Sequence, residues 1–323
     1  MSNNKNRRIL IKLSGESLMG DENYGIELKI VDKVAKNIKS FINLYLLNSL
    51  FYNYEMNFNI KNEFEALVIS GPTGSGKNKI ANILGNYYPI MVINADAIQV
   101  YKKWKILSGR PTDIEQKKVI HKLYGHYNGN YYNVGKWLKE VSYYIDIAKK
   151  NHLLPVFVGG TGLYVNLLFQ GISNIPRIPI KIRNKGKQIL NSDPLFFYNY
   201  LKQNDPNILS IIDCNNSRRL QRAWEVMETT GVSLIEFQKD RETPILNSKK
   251  TKKIVLSVDK ILLNKIIDLR FDKMIASGAI YECQRVLDEG FWDYTMPSSK
   301  IIGAQELVLY LQNLKSLGDA ILE

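Results

Sequence analysis

Ala66-Leu-Val-Ile-Ser-Gly-Pro-Thr-Gly-Ser-Gly-Lys77 is the stretch that decides the fold. A short apolar run ends at Ser70, a glycine-rich loop follows at once, and the residues after Lys77 predict a helix. Strand, glycine-rich loop and helix in this order are the context of a P-loop. Its backbone N–H groups would surround phosphate oxygens, and the helix N-terminus would add positive charge. The predicted phosphate- or diphosphate-binding residues are Gly71, Pro72, Thr73, Gly74, Ser75, Gly76, Lys77 and Asn78.

Asn78 is the unusual position of this loop, because a P-loop carries Ser or Thr after its lysine. That hydroxyl binds Mg²⁺ in a typical loop, and an amide oxygen is another ligand that a hard cation accepts. Mg²⁺ is therefore the expected cofactor and Asn78 its candidate ligand, although the substitution makes this the weakest part of the motif. An ordinary glycine turn with a chance lysine is the alternative interpretation of residues 71–77.

The composition argues against a membrane protein and favours a polyanionic partner. The 323 residues suffice for two domains, and no apolar run is long enough to span a bilayer. The formal net charge of +13 suits nucleic acid, although a lysine-rich proteome would give the same surplus. Cys214 and Cys283 lack metal-like spacing and are expected to stay unpaired in a reducing, cytoplasmic setting.

From Glu65 onward the pattern alternates between short apolar runs, loops and helical periods, which predicts an α/β fold with a parallel sheet flanked by helices. Candidate strands are Ala66–Ser70, Ile90–Asn94 and Leu154–Val158, and helices are predicted at about 77–87 and 134–150. Ligands of such sheets bind beyond the carboxyl ends of the strands. The segments 71–77, 95–99 and 159–162 should therefore meet in one cleft.

Four segments are predicted along the chain. Residues 1–55 differ from the rest and end in a linker, and residues 56–174 form the P-loop core. Residues 175–240 predict a helical insertion, punctuated by prolines. Residues 241–323 return to the core, with a further strand at about 249–258.

Asp96 is the candidate for acid–base chemistry, because it follows the strand 90–94 directly. A carboxylate at a strand end that faces a phosphate loop can hold Mg²⁺ through water or accept a proton from a nucleophile. A helix cap is the structural alternative for this aspartate. Gly159-Gly-Thr-Gly-Leu-Tyr164, after the third strand, would let a ligand approach the backbone, or would be an ordinary turn.

A basic helix is predicted around Ser217–Val226. Arg222 lies one turn from both Arg218 and Arg219, so the three side chains can form a ridge that faces phosphates. A solvated basic face is the alternative interpretation. The three histidines of the chain do not support a zinc site.

Taken together, these motifs resemble the tRNA dimethylallyltransferase, or isopentenyl-tRNA transferase, family over about residues 66–321. The stretches that carry the resemblance are Gly-Pro-Thr-Gly-Ser-Gly-Lys (71–77), Asn-Ala-Asp-Ala-Ile-Gln-Val-Tyr (94–101), Gly-Arg-Pro-Thr (109–112), His-Lys-Leu-Tyr-Gly-His (121–126), Val-Gly-Lys-Trp (134–137), Gly-Gly-Thr-Gly-Leu-Tyr (159–164), Arg-Leu-Gln-Arg-Ala-Trp-Glu-Val (219–226) and Lys-Ile-Ile-Gly-Ala-Gln-Glu-Leu (300–307). A generic P-loop protein would share only the first.

The resemblance implies a P-loop core with a helical insertion, and transfer of a dimethylallyl group from dimethylallyl diphosphate to N6 of the adenosine at position 37 in the tRNA anticodon stem-loop. The loop would hold the diphosphate with Mg²⁺, Asp96 would be the general base, and Thr73 would hydrogen-bond the reacting groups. A cytoplasmic monomer with no membrane partner is expected. The residues implied to contact tRNA are Asp96, Ala97, Ile98, Gln99, Thr161, Arg183, Arg218, Arg219 and Arg222.

The two ends depart from this family. Residues of about 7–40 resemble the N-terminus of bacterial uridylate kinase, and Lys12, Ser14 and Gly15 match its phosphate-binding turn. Because the rest of that kinase is missing, residues 1–55 are interpreted as a fusion remnant. The segment 241–323 is expected to be a truncated C-terminal part of the core, since family members continue into a basic segment.

Two other functions stay open from the sequence. A P-loop nucleotide-binding protein or small-molecule kinase would use the same loop with ATP, although the motifs at 159–164 and 219–226 argue against it. A catalytically impaired tRNA-binding relic is the other alternative, and Asn78 motivates it.

Overall fold

The computed structural model describes residues 9–12, 64–193 and 195–322. Six strands form one parallel sheet in the order β1-β6-β2-β5-β3-β4. In chain order the strands are β1 (Ile9–Lys12), β2 (Ala66–Ser70), β3 (Ile90–Asn94), β4 (Ile120–Lys122), β5 (Leu154–Gly159) and β6 (Thr251–Ser257).

The three strands predicted from apolar runs are confirmed as the centre of the sheet. β2, β3 and β5 are buried along almost their whole length, as expected of strands covered by helices on both faces. Their register places Ser70 beside Gly159 and Asn94 beside Val158, so all three strands end at the same edge. β6 begins and ends within the predicted range of 249–258.

Two strands lie where the sequence pattern is weaker. β4 is not among the candidate strands, because its three residues include His121 and a lysine and form no apolar run. It lies at the edge of the sheet, where burial is low. β1 pairs with β6 from Ile9 to Lys12 and lies within the segment that resembles uridylate kinase. The rest of the uridylate-kinase-like segment, with Ser14 and Gly15, lies outside the described residues.

Helices connect the strands and fill the segment between β5 and β6. In chain order they are α1 (Lys77–Gly85), α2 (Asp113–Lys118), α3 (Val134–Lys150), α4 (Gly162–Gln170), α5 (Ile180–Ser192), α6 (Phe196–Asn204), α7 (Ser217–Thr230), α8 (Leu234–Lys239), α9 (Lys260–Ala276), α10 (Ala279–Asp288), α11 (Ala304–Leu311) and α12 (Leu317–Leu322).

α3 illustrates why a helix could be predicted here from the sequence. The Asn133 side chain caps its first turn by accepting a hydrogen bond from the Lys136 N–H at 2.9 Å. Its buried apolar positions recur every three or four residues, from Trp137 to Ala148. α3 packs against β3 and β5, and α1 packs against β2, β3 and β5. The helix that follows the P-loop is therefore fixed to the strands that carry the rest of the site.

The chain forms two compact units. One contains the described residues up to Phe169 together with those from Leu246 onward, and therefore the whole sheet. The other spans Gln170–Ile245 and has its own core, in which Phe197, Leu201 and Trp224 are fully buried.

Within the described parts of the chain, none of the helices combines the length and the apolar character that a bilayer crossing requires.

Candidate active site

The P-loop lies between the carboxyl end of β2 and the start of α1. Gly74 and Gly76 both have φ of 84°, and Gly76 precedes the first residue of the helix. Left-handed glycines of this kind turn successive N–H groups to one side and make an anion-binding concavity. The Ser75 hydroxyl is buried and has no hydrogen-bond partner among the described residues. The loop therefore presents backbone N–H groups and the Ser75 hydroxyl as hydrogen-bond donors to an anion.

The Lys77 side chain folds back onto the backbone of the loop. Its ammonium group donates to the carbonyl oxygens of Gly71 and Pro72, at 2.8 and 2.7 Å. Burial lowers the pKa of Lys77 to about 8; nearby Asp96 raises it in part, and Arg270 lowers it further. A phosphate bound in the loop would stabilise the charged form of this lysine.

Asp96 is held by a buried asparagine at the end of β3. The Asn94 amide donates to the carbonyl oxygens of Asp96 and Leu123 at 2.9 and 3.0 Å, and its side-chain oxygen accepts from the Asp96 N–H at 2.9 Å. The Trp137 indole N–H donates to the Asn94 carbonyl oxygen at 2.8 Å. The backbone that carries Asp96 is therefore fixed on several sides.

The carboxylate of Asp96 forms a local turn. One oxygen accepts the Ile98 N–H at 2.9 Å, and bends and a turn follow, so the helix-cap alternative is wrong. The second oxygen accepts no hydrogen bond from the described residues, which leaves it available to a ligand. This carboxylate raises the pKa of Lys77, so the two groups interact electrostatically without forming an ion pair among the described contacts.

The glycine turn after β5 joins the other two segments. A Cβ on Gly159 would lie 2.1 Å from the Ala95 carbonyl oxygen, and one on Gly160 would lie 3.2 Å from that of Gly71. The Thr161 hydroxyl accepts the Ala97 N–H at 3.1 Å. The expected meeting of residues 71–77, 95–99 and 159–162 at one edge of the sheet is therefore found in the structure.

Gln99 faces the same region with a fixed orientation. Its side-chain NH₂ donates to the carbonyl oxygens of Ser108 and Gly109, at 3.0 and 3.2 Å. Its side-chain carbonyl oxygen accepts no hydrogen bond from the described residues, so this oxygen remains for a donor such as an exocyclic amine.

Arg270 is a site residue that the sequence did not reveal. It lies on α9 and donates to the Gly109 carbonyl oxygen at 3.3 Å. Burial lowers its pKa, and the nearby Asp96 carboxylate partly offsets this effect. Nothing in the run of apolar and charged residues along α9 marks this arginine, because its contacts are made across the fold.

α9 also covers the P-loop with apolar side chains. A Cβ on Gly74 would lie 3.3 to 3.6 Å from Ile267, Leu263 and Ile266. These residues and Arg270 recur at helical spacing, so one face of α9 presents a hydrocarbon surface followed by a guanidinium. This face excludes water from one side of the loop.

Asn78 lies in the first turn of α1 and is partly buried. Its side chain forms no hydrogen bond with the described residues, so its amide oxygen can turn towards a ligand in the loop. Among the described residues no group of three or more His, Cys, Asp or Glu side chains could hold a metal by itself. A cation here would share its ligands with a bound diphosphate, which the residues of the loop allow.

The predicted basic residues outside the P-loop unit all lie in the second unit. Arg218, Arg219 and Arg222 are on α7; the first two are exposed, and Arg222 pairs with Glu225 at 3.3 Å. Arg183 is on α5, one turn before Gly186, where a Cβ would lie 2.9 Å from the Gln221 amide nitrogen on α7. The two helices that carry the arginines are thus packed closely together.

Comparison with known proteins agrees with this arrangement. The IPP transferase family model matches residues 99–323, and the isopentenyl transferase model matches residues 64–125. The tRNA dimethylallyltransferase of Cereibacter sphaeroides is 40% identical over 256 residues, which cover 79% of this chain and 85% of that protein. That of Roseobacter denitrificans is 38% identical, with 78% and 86% covered.

Solved structures give the same result. The tRNA isopentenylpyrophosphate transferase of Bacillus halodurans matches with a TM-score of 0.55 and 29% identity, over 80% of each chain. A eukaryotic dimethylallyltransferase acting on tRNA matches with a TM-score of 0.66 and 27% identity, over 79% of this chain and 65% of that one. With a P-loop, a strand-end aspartate and these relatives, the chain belongs to the IPP transferase family, as a relative of its tRNA dimethylallyltransferases.

Proposed function

We propose that this protein transfers a dimethylallyl group from dimethylallyl diphosphate to N6 of the adenosine at position 37 of tRNA, giving N6-(dimethylallyl)adenosine. The observation that carries the proposal is the position of Asp96, whose carboxylate is oriented by the Ile98 N–H at the same edge of the sheet as the phosphate loop. Family membership supports the same reaction.

The diphosphate is the leaving group, and the P-loop unit supplies its donors. The N–H groups of the loop, Lys77 and Arg270 would surround its oxygens, with Thr73 and Ser75 adding hydroxyl groups. As the bond between C1 of the prenyl chain and the diphosphate oxygen breaks, negative charge grows on that oxygen, and preorganised donors stabilise it. The apolar face of α9 keeps water away from one side of this charge.

The exocyclic amine of adenine is the nucleophile. A bond forms between N6 and C1 of the prenyl chain, and the amine must lose one proton. The second oxygen of Asp96 accepts that proton, because its first oxygen is already used by the Ile98 N–H. The carbonyl oxygen of Gln99, whose NH₂ group donates to the Ser108 carbonyl oxygen, would accept a hydrogen bond from the same amine.

Mg²⁺ would be held by the amide oxygen of Asn78 together with the diphosphate, and would supply positive charge at the leaving group. The residues of this chain bind and orient the two substrates around that charge.

The tRNA anticodon stem-loop is the proposed macromolecular substrate. Its target base must leave the stack to reach a site at the end of a sheet. Ala97, Ile98 and Thr161 border that site, and the arginines of α5 and α7 offer contacts to phosphates. We propose that the enzyme acts as a monomer. A cytoplasmic location is proposed as well, and the two free cysteines suit its reducing environment.

The test is transfer of labelled dimethylallyl from its diphosphate to anticodon stem-loop RNA by the purified full chain. We expect label on N6 of the target adenosine, and loss of transfer in Asp96→Asn with binding of dimethylallyl diphosphate retained. Asp146→Asn, an exposed carboxylate on α3, is the matched control and should transfer normally. No transfer at any Mg²⁺ concentration would refute the proposal, and ATP turnover with a small acceptor instead would support a kinase.

A further inference from the structure

An open basic pocket lies beside the loop that follows Asp96. It has a volume of about 260 Å³ and is lined by Lys102, Lys103, Asn128, Arg285 and Glu289. Lys102 and Lys103 follow Gln99 in the chain by three and four residues, and Arg285 lies on α10. The pocket is distinct from the P-loop, because none of its lining residues belongs to that loop or to the turn 159–162.

The charges of this pocket do not cancel. Lys103 pairs with Glu289 and also lies over the Phe291 ring, at 5.8 Å from its centroid. Lys102 and Arg285 are exposed and form no ion pair with the described residues. Two unpaired cations therefore point towards solvent from one pocket, and the Asn128 side chain adds a polar group.

The backbone of the pocket is held in place. The Lys102 N–H donates to the Tyr127 carbonyl oxygen at 2.8 Å, and the Arg285 guanidinium donates to the Lys103 carbonyl oxygen at 3.4 Å. One turn earlier on α10, the buried Glu282 carboxylate accepts N–H groups of Lys105, Ile106 and Leu107 at 2.6 to 3.1 Å. α10 is thus fixed to the segment that continues from the Asp96 loop.

We propose that this pocket binds a phosphodiester of the substrate RNA next to the target nucleotide, through Lys102 and Arg285. The proposal rests on the function proposed above. The pocket is open and has no glycine loop of N–H groups, so it suits a singly charged phosphate in a polymer better than a terminal diphosphate. Because three residues span at most about 11 Å, Lys102 lies within reach of the nucleotides that flank a base at Gln99.

The experiment measures binding of anticodon stem-loop RNA to the full chain as a function of salt. Each phosphate contact contributes about 0.7 to 0.9 to the slope of log K against log salt concentration. Because one phosphodiester is bound, we expect the Lys102→Gln/Arg285→Gln pair to lower that slope by about 0.7 to 0.9, each single variant to lower it by less, and Arg285→Lys to keep most of the natural slope.

Lys149→Gln/Lys150→Gln is the matched control, because it removes the same charge at the exposed end of α3, near the amino end of β5. Its slope should equal that of the natural chain. A slope for the pocket variant equal to the control would overturn the proposal, and so would weaker binding of dimethylallyl diphosphate in that variant. Failure of the natural chain to transfer the prenyl group would refute the proposed function, while the RNA-binding slope still reports on the pocket.

Discussion

Lys77 is a half-buried cation whose hydrogen-bond partners are two neutral carbonyl oxygens. Two carbonyl dipoles replace only part of the hydration that a lysine loses on burial, and Arg270 adds repulsion. Asp96 compensates in part, which couples the charge of the proposed base to that of the phosphate ligand. At the scale of single residues, the site therefore combines the coupled charges of Lys77, Asp96 and Arg270 with a loop that can bind an anion.

The affinity for dimethylallyl diphosphate should therefore depend on pH. The pKa of Lys77 is lowered to about 8, and an anion favours the charged form, so binding above pH 8 takes up a proton. Affinity should be flat near pH 7 and should fall above pH 8, by up to about tenfold per pH unit. Titration calorimetry in two buffers of different ionisation enthalpy would measure both effects. Lys77→Arg stays charged and should remove the dependence; a flat profile for the natural chain would contradict the argument.

A second prediction at this scale concerns the Mg²⁺ dependence of variants at position 78. A hydroxyl is the usual ligand at this position, so Asn78→Thr should lower the Mg²⁺ concentration that gives half-maximal transfer. Asn78→Ala, which has no ligand oxygen, should raise it. Transfer assays over a Mg²⁺ series measure both variants. Identical curves for all three side chains would remove position 78 from the metal site, and transfer seen only with Thr would identify the natural chain as impaired.

At the scale of elements, the site depends on how closely the ends of β3 and β5 approach. Gly159→Ala would place a methyl group 2.1 Å from the Ala95 carbonyl oxygen, so the Asp96 loop must move. We expect loss of transfer and a free energy of unfolding lowered by about 1–3 kcal/mol. Gly162→Ala meets nothing within 4 Å at the start of α4 and should be neutral or slightly stabilising. Urea unfolding would measure the stability of both variants, and transfer assays would measure their activity. Equal stability and activity of the two variants would show that the loop accommodates the methyl group.

The elements also show what a sequence can and cannot reveal. β2, β3 and β5 were predictable because a strand buried on both faces needs an unbroken apolar run, and α3 because its buried positions recur every turn. β4 was not, since a short edge strand carries no such run. Arg270 and Glu282 were missed for another reason. Each acts through contacts with residues that are more than 150 positions away in the chain, and neither stands in a local pattern.

At the scale of the whole molecule, the division into two units separates the proposed tasks. The P-loop, Asp96 and Arg270 belong to the unit with the sheet, whereas the arginines of α5 and α7 belong to the unit spanning Gln170–Ile245. The second unit is built around Trp224, which is fully buried against Phe197 at a centroid distance of 5.4 Å.

Trp224→Ala should therefore affect the two substrates unequally. Removing this side chain should destabilise the second unit by about 3–5 kcal/mol and weaken RNA binding, while binding of dimethylallyl diphosphate persists. Hydrogen exchange would measure the stability of each unit, and calorimetry the two affinities. Tyr143→Ala, an exposed aromatic on α3, controls for loss of a ring. Equal loss of both affinities would show that the units fold as one.

The contact between Gly109 and Arg270 has a consequence for how such a chain can diverge. A side chain at Gly109 would put its Cβ 1.6 Å from the guanidinium, and the backbone there is left-handed, with φ of 56°. Gly125 stands in the same relation to Arg110, at 1.5 Å. The tip of each arginine lies in the space beside a glycine, so a side chain at Gly109 or Gly125 would displace that guanidinium and would also strain a left-handed backbone. Although Gly109 and Arg270 are 161 positions apart, a substitution at Gly109 should therefore disturb the position of the Arg270 guanidinium.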